Sequence, residues 1–190
     1  MRVLNYRDRA ALVVGDGAVD IETASNGKFS SDLQLIYNDW ENFLGWCTDF
    51  DGPAEIDLDE RLIGPPVPRP PQIFAVGLNY RSHAAEGEIE VPATPMIFTK
   101  FPACVTGPYA EIGLPSESVD FEAELVVVIG KKAVRVSEDD AWSHVAGLTI
   151  GQDLSEREVQ MAPPAPQQFS LAKSFTGFAP IGPWVVTPDE

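Results

Sequence analysis

Short apolar runs at 2–6, 11–14 and 18–21, the last two joined by Gly15-Asp16-Gly17, predict a small β unit at the start of the chain. The spacing then turns helical. Leu33, Ile36, Tyr37, Trp40, Phe43 and Leu44 fall on one face, Asp32, Asp39 and Glu41 lie on the other, and Ser31 with Gln34 forms a capping-box pair. This helix reads as a core stripe with a solvated back and carries no chemistry. Residues 64–71, Gly-Pro-Pro-Val-Pro-Arg-Pro-Pro, hold neither a helix nor a central strand. The chain therefore divides into a small N-terminal domain (1–62), a proline-rich linker (63–71) and a second domain from residue 72. In that domain the patterns predict strands at 72–76, 95–100, 119–129 and 148–152 and another from 182. Helices are predicted over 80–86 and 137–145, and a turn at 155–158 is capped by Ser155 and Glu158.

The strand at 119–129 is the informative one. Side chains alternate between faces, so Asp120, Glu122, Glu124, Val126 and Val128 share one side, while Val119, Phe121, Ala123, Leu125, Val127 and Ile129 make the other wholly apolar. The acidic face turns to valine within two residues, which places the glutamates at the mouth of a core. Bare negative charge is costly there unless something positive neutralises it. Two carboxylates about 7 Å apart along a strand can converge on one cation. An oxygen-only donor set favours Mg²⁺, Mn²⁺ or Ca²⁺ over zinc. The competing reading is a half-exposed strand whose acids serve solubility. Asp153, delivered by the end of the next strand, is a further candidate ligand. His83 and Glu86 sit at i and i+3 if 80–86 is helical, so the carboxylate can orient the imidazole and raise its basicity, as a general base for water requires. The polar stretch 86–95 reads as a lid.

Composition narrows the classes of partner. With 13 basic against 29 acidic residues among 190, the net charge is −16 and there is no basic stripe, which argues against nucleic acid and anionic membrane as partners. Cys47 and Cys104 match no zinc or redox spacing and read as reduced packing residues. No apolar run reaches about 18 residues and no signal-peptide pattern opens the chain, so a soluble cytoplasmic protein is expected.

Five segments, in order, resemble the fumarylacetoacetate hydrolase family: 76–86 (Val-Gly-Leu-Asn-Tyr-Arg-Ser-His-Ala-Ala-Glu), 98–100, 119–131, 151–160 (Gly-Gln-Asp-Leu-Ser-Glu-Arg-Glu-Val-Gln) and 173–183. The resemblance implies an α+β fold, mainly β: a mixed β-roll catalytic domain over 72–190 behind a small α/β N-terminal domain, assembled as a homodimer. It implies Glu122, Glu124 and Asp153 as metal ligands, His83 and Glu86 as the water-activating pair, and Lys173 as the stabiliser of oxyanion charge. Arg157, Gln160, Arg81 and Lys100 are placed at the substrate, a small anionic 2-oxo acid. The implied reaction is divalent-metal-dependent, with Mg²⁺ (or Mn²⁺/Ca²⁺), and serves the catabolism of aromatic or dioxo acids. It is hydrolysis of the C–C bond of a 2,4-dioxo acid to pyruvate and a carboxylic acid. Water activated by His83 attacks the distal carbonyl, and a pyruvate enolate departs.

Two alternatives stand beside it: a metal-dependent decarboxylase or isomerase of oxaloacetate-like or 2-hydroxydienoate acids, and a non-catalytic fragment or assembly module. The sequence departs from the family at Phe101, where many relatives have proline, and has no evident counterpart of the fourth acidic ligand of the animal namesake. Relatives also continue past residue 190 with further strands and a Gly-Thr-Pro turn, so the C-terminal part of the catalytic domain is expected to be missing.

Overall fold

The computed structural model describes residues 1–86, 90, 92–164 and 168–190, leaving out the side chains of His83, Ala84 and Glu86. In chain order, β1 (Arg2–Tyr6), β2 (Arg9–Val14) and β3 (Gly17–Asp20) form an antiparallel meander, followed by α1 (Ile21–Ala24), α2 (Leu33–Ile36) and α3 (Trp40–Asp49). Then come β4 (Ile63–Gly64), β5 (Ile73–Gly77), α4 (Arg81–Glu86), β6 (Met96–Lys100), β7 (Val105–Thr106), β8 (Val119–Asp120) and β9 (Ala123–Ile129). The remaining elements are β10 (Val145–Gln152), β11 (Ser155–Glu156), α5 (Arg157–Gln160), α6 (Phe169–Ala172) and β12 (Ala179–Val186). The fold is mainly β with short helices, as expected. No helix among the described residues is long and apolar enough to cross a membrane.

One sheet joins the N-terminal and C-terminal segments. Its order is β3-β2-β1-β12-β10-β9, with β4 added on β1 and β7 on β12. Leu4 of β1 faces Trp184 of β12 in antiparallel register, so strands from both sides of the proline-rich linker lie next to each other. The predicted helical stripe packs on this sheet: Leu33, Ile36, Trp40 and Phe43 meet Val3, Leu12, Val19, Val128, Ala146 and Val185. The stripe is not one helix, however. A 3₁₀ turn at Tyr37–Asp39 separates α2 from α3, and the cap is Asp32, whose carboxylate accepts from the Gln34 amide, rather than Ser31. β10 approaches β12 closely at Gly147; a Cβ there would strike the Val186 carbonyl and the Val185 side chain.

The long strand predicted at 119–129 is broken. β8 pairs with β11, β9 pairs with β10, and Phe121-Glu122 forms the joint, where the Asp153 amide donates to the Glu122 carbonyl at 2.8 Å. The acidic face is the inward one: Glu122 and Glu124 are half-buried and Val128 is buried. The apolar face is open, with Phe121 71 % exposed and Leu125, Val127 and Ile129 also exposed. Alternation separates the two faces, but it does not say which one a neighbouring layer covers.

Phe43 is fully buried at the centre of the helix–sheet core. Phe43→Ala is expected to cost about 3–5 kcal/mol of stability, read as a lowered urea midpoint with the m-value unchanged.

Candidate active site

Three chain segments converge beneath the joint. The end of β10 delivers Asp153, the end of β6 delivers Lys100, and the residue after α6 is Lys173. All three are buried, at 6 %, 5 % and 2 % exposure. Lys100 Nζ donates to Asp153 Oδ1 at 2.5 Å and to the Phe178 carbonyl at 3.1 Å. Lys173 Nζ donates to Asp153 Oδ2 at 2.8 Å, Glu122 Oε2 at 2.9 Å and Ser155 Oγ at 2.7 Å. Each oxygen of one buried carboxylate therefore faces its own ammonium. Burial pushes the Lys100 ammonium below the usual lysine range, while Asp153 pulls it back up.

Arg157 extends the network outward. Its guanidinium reaches Asp120 Oδ2 at 2.7 Å and Glu122 Oε1 at 2.8 Å, and its Nη1 donates to Gln160 Oε1 at 2.7 Å. The bond to Arg157 holds the Asp120 carboxyl below its ordinary range. α5, which carries Arg157 and Gln160, is capped by Glu156: its carboxylate accepts from the Val159 amide and the Ser116 hydroxyl, both at 2.6 Å. The cap expected from Ser155 and Glu158 is thus made one residue along. Ser155 is instead a fully buried strand residue that binds Lys173. Only its position in Asp153-Leu154-Ser155 marks it in the sequence, and the capping signal obscured it.

The predicted residues therefore fall into two groups. Glu122, Asp153, Lys173, Arg157, Gln160 and Lys100 are brought together. Lys100, buried like Lys173, approaches Asp153 at the other carboxylate oxygen. Glu124 shares the inward face of β9 opposite Gly151. Arg81 is exposed on α4, and the side chains of His83 and Glu86 lie outside the described residues, as does part of the expected lid.

The donor chemistry suits a hard dication: oxygens of Glu122 and Asp153, from two strands, already share one positive centre, the Lys173 ammonium. No three His, Cys, Asp or Glu residues form a metal-holding group among the described residues. The arrangement thus provides a pair of carboxylates for an ion, with Glu124 two residues further along the same face.

The sequence profile of the fumarylacetoacetate (FAA) hydrolase C-terminal domain matches residues 72–190, which contain every one of these side chains. The chain belongs to the fumarylacetoacetate hydrolase family. Among family relatives, the human mitochondrial oxaloacetate tautomerase FAHD2A is 46 % identical over 127 residues, covering 66 % of this chain and 40 % of that protein. A solved Mycobacterium smegmatis structure provisionally named HpcE is 49 % identical with a TM-score of 0.92, covering all of this chain and 67 % of the other. A probable 2-hydroxyhepta-2,4-diene-1,7-dioate isomerase from Mycobacterium abscessus is 27 % identical with a TM-score of 0.77, covering 98 % of this chain and 63 % of that one. The chain thus spans well under half the length of the curated relative it matches.

Removing the shared acid strands two buried cations. Asp153→Ala is expected to cost the metal-free protein about 3–5 kcal/mol, measured by chemical unfolding at neutral pH. Lys100 gives a pH signature as well. Its folded-state pKa is depressed, so the unfolded chain binds more protons as the pH approaches the ordinary lysine value, and the contribution of this group to stability rises with pH there. Subtracting the Lys100→Met profile from that of the wild type between pH 7 and 10 should leave a difference that grows with pH.

Proposed function

We propose that this chain carries the site of a metal-dependent enzyme that shifts a proton on an oxaloacetate-like 2-oxo acid, interconverting keto and enol forms. The observation that carries this reading is the 46 % identity to an oxaloacetate tautomerase over 127 residues, in a chain whose Asp153–Lys173–Arg157 cluster lies inside the family's catalytic-domain profile. It favours the isomerase alternative drawn from the sequence over hydrolysis of a 2,4-dioxo acid, which fits at the level of the family.

Tautomerisation moves one proton off C3 while the C3–H electrons form a C2=C3 bond, and the 2-oxygen takes up a proton. Two demands follow: a cationic environment for the 2-oxygen and a base at C3. Lys173 meets the first. Its ammonium stands at the inner edge of the acid pair and can donate to an oxygen that gains charge. Arg157 is partly exposed; its guanidinium fork is engaged by Asp120 and Glu122 and keeps one Nη1 N–H to offer a substrate carboxylate oxygen. Gln160 fixes that fork by accepting from Nη1. His83, with Glu86 three residues on in the sequence, is the proposed base at C3. Glu122, Glu124 and Asp153 would hold Mg²⁺ or Mn²⁺, which when bound supplies Lewis acidity to the 2-oxo acid. Asp153, pinned by Lys100 at Oδ1, keeps Oδ2 on the Lys173 side.

The test follows oxaloacetate enol decay in the ultraviolet with and without EDTA, alongside pyruvate release from a panel of 2,4-dioxo acids. The expected result is tautomerisation that EDTA abolishes and that Lys173→Met slows by about 10²–10³-fold. EDTA-sensitive pyruvate release without tautomerisation would replace this reading with hydrolysis, and His83→Ala should then abolish activity outright.

A further inference from the structure

The structure assigns to Ser155 a role that nothing above gives it: it is the fixed anchor that positions Lys173. The inference rests on Lys173 serving the substrate's 2-oxygen, as proposed above. An ammonium has three N–H donors. Lys173 uses all three, on Glu122 Oε2, Asp153 Oδ2 and Ser155 Oγ. None is left for a substrate oxygen, so to donate to one, Lys173 must release one of these partners.

The three partners are unequal. Two are carboxylates, whose charge also suits a dication or the Arg157 guanidinium that already bonds Glu122. Ser155 is neutral, and its geometry is fixed. Its side chain is fully buried, and its residue is paired with Asp120 in the β11–β8 ladder. Its one hydroxyl hydrogen is committed to the Asp153 carbonyl at 2.9 Å. Only oxygen lone pairs remain to face Lys173, and they do so at 2.7 Å, the shortest of the three contacts. Ser155 is therefore an acceptor that neither ion binding nor substrate binding competes for. Lys173 trades a carboxylate contact for the substrate oxygen while Ser155 keeps Nζ in place. Ser155 touches neither substrate nor ion; it acts through Lys173.

Ser155→Ala removes the hydroxyl, Ser155→Cys replaces the strong acceptor with a weak, slightly larger one, and Ser155→Thr retains the hydroxyl. In the Mn²⁺-loaded protein, the Ala and Cys variants should lose about tenfold to a hundredfold in kcat for oxaloacetate tautomerisation, with KM within about threefold of wild type. The Thr variant should recover most of the loss. The stabilisation of the fold by added Mn²⁺ should be unchanged throughout. A second readout needs no activity: Lys173 in the Ala and Cys variants should be reductively methylated faster than in wild type, as quantified by peptide mass spectrometry. Wild-type kcat in Ser155→Cys, or equal methylation rates accompanied by a lowered melting temperature, would reduce the hydroxyl to closing the Asp153–Ser155 turn and overturn the inference. If the wild type turns over no oxo acid, the proposed reaction fails by itself. The methylation rates then still decide whether Ser155 anchors Lys173, with faster modification upholding the contact and equal rates removing it.

Discussion

A single buried carboxylate, Asp153, with a lysine on each oxygen, is the constraint around which the second half of the chain is arranged. A charge at this depth is tolerable only when both of its oxygens are satisfied, and the two donors come from places far apart in sequence, the end of β6 and the turn after α6. That requirement fixes three chain ends relative to one another. Breaking the strand at Phe121-Glu122 serves the same end. It turns Glu122 toward Lys173 while Asp120 leaves with β8 to meet Arg157.

Two cations with similar chemistry thereby acquire different roles. Lys100 is enclosed, bonded to Asp153 Oδ1 and to a backbone carbonyl. Lys173 bonds two acids and a hydroxyl at the boundary with the half-buried Glu122. The first holds a ligand candidate still; the second is placed to exchange partners. Residue type alone does not separate these roles, because the difference lies in which side of Asp153 each lysine approaches.

Much of this was legible in the sequence, for identifiable reasons. The meander at 2–20 and the stripe from Leu33 to Phe43 follow from strong periodicity, and both form in place. The acid-bearing face of 119–129 was legible because period-2 alternation separates it cleanly from its apolar opposite. The exposure of Phe121, Leu125 and Ile129 was not, since alternation carries no information about what lies over a face. The shift of the helix cap from Ser155 to Glu156 was missed because both residues are good acceptors one position apart, and only the β11–β8 pairing decides between them. The burial of Lys100 depends on the Phe178 carbonyl just before β12 closing against it, a contact spanning more than seventy residues. Nothing local encodes that.

The neighbouring placement of β1 and β12 has a consequence for biosynthesis. Leu4 finds its β12 partner only at Trp184, so the β1–β12 pair at the centre of the sheet cannot close until residue 184 has left the ribosome. At about 5–20 residues per second, the first meander waits on the order of ten seconds or more with the Arg2–Leu4 part of the β1 edge unpaired. During that interval β1 is open to the wrong neighbour, and chaperone occupancy on nascent chains should concentrate on it.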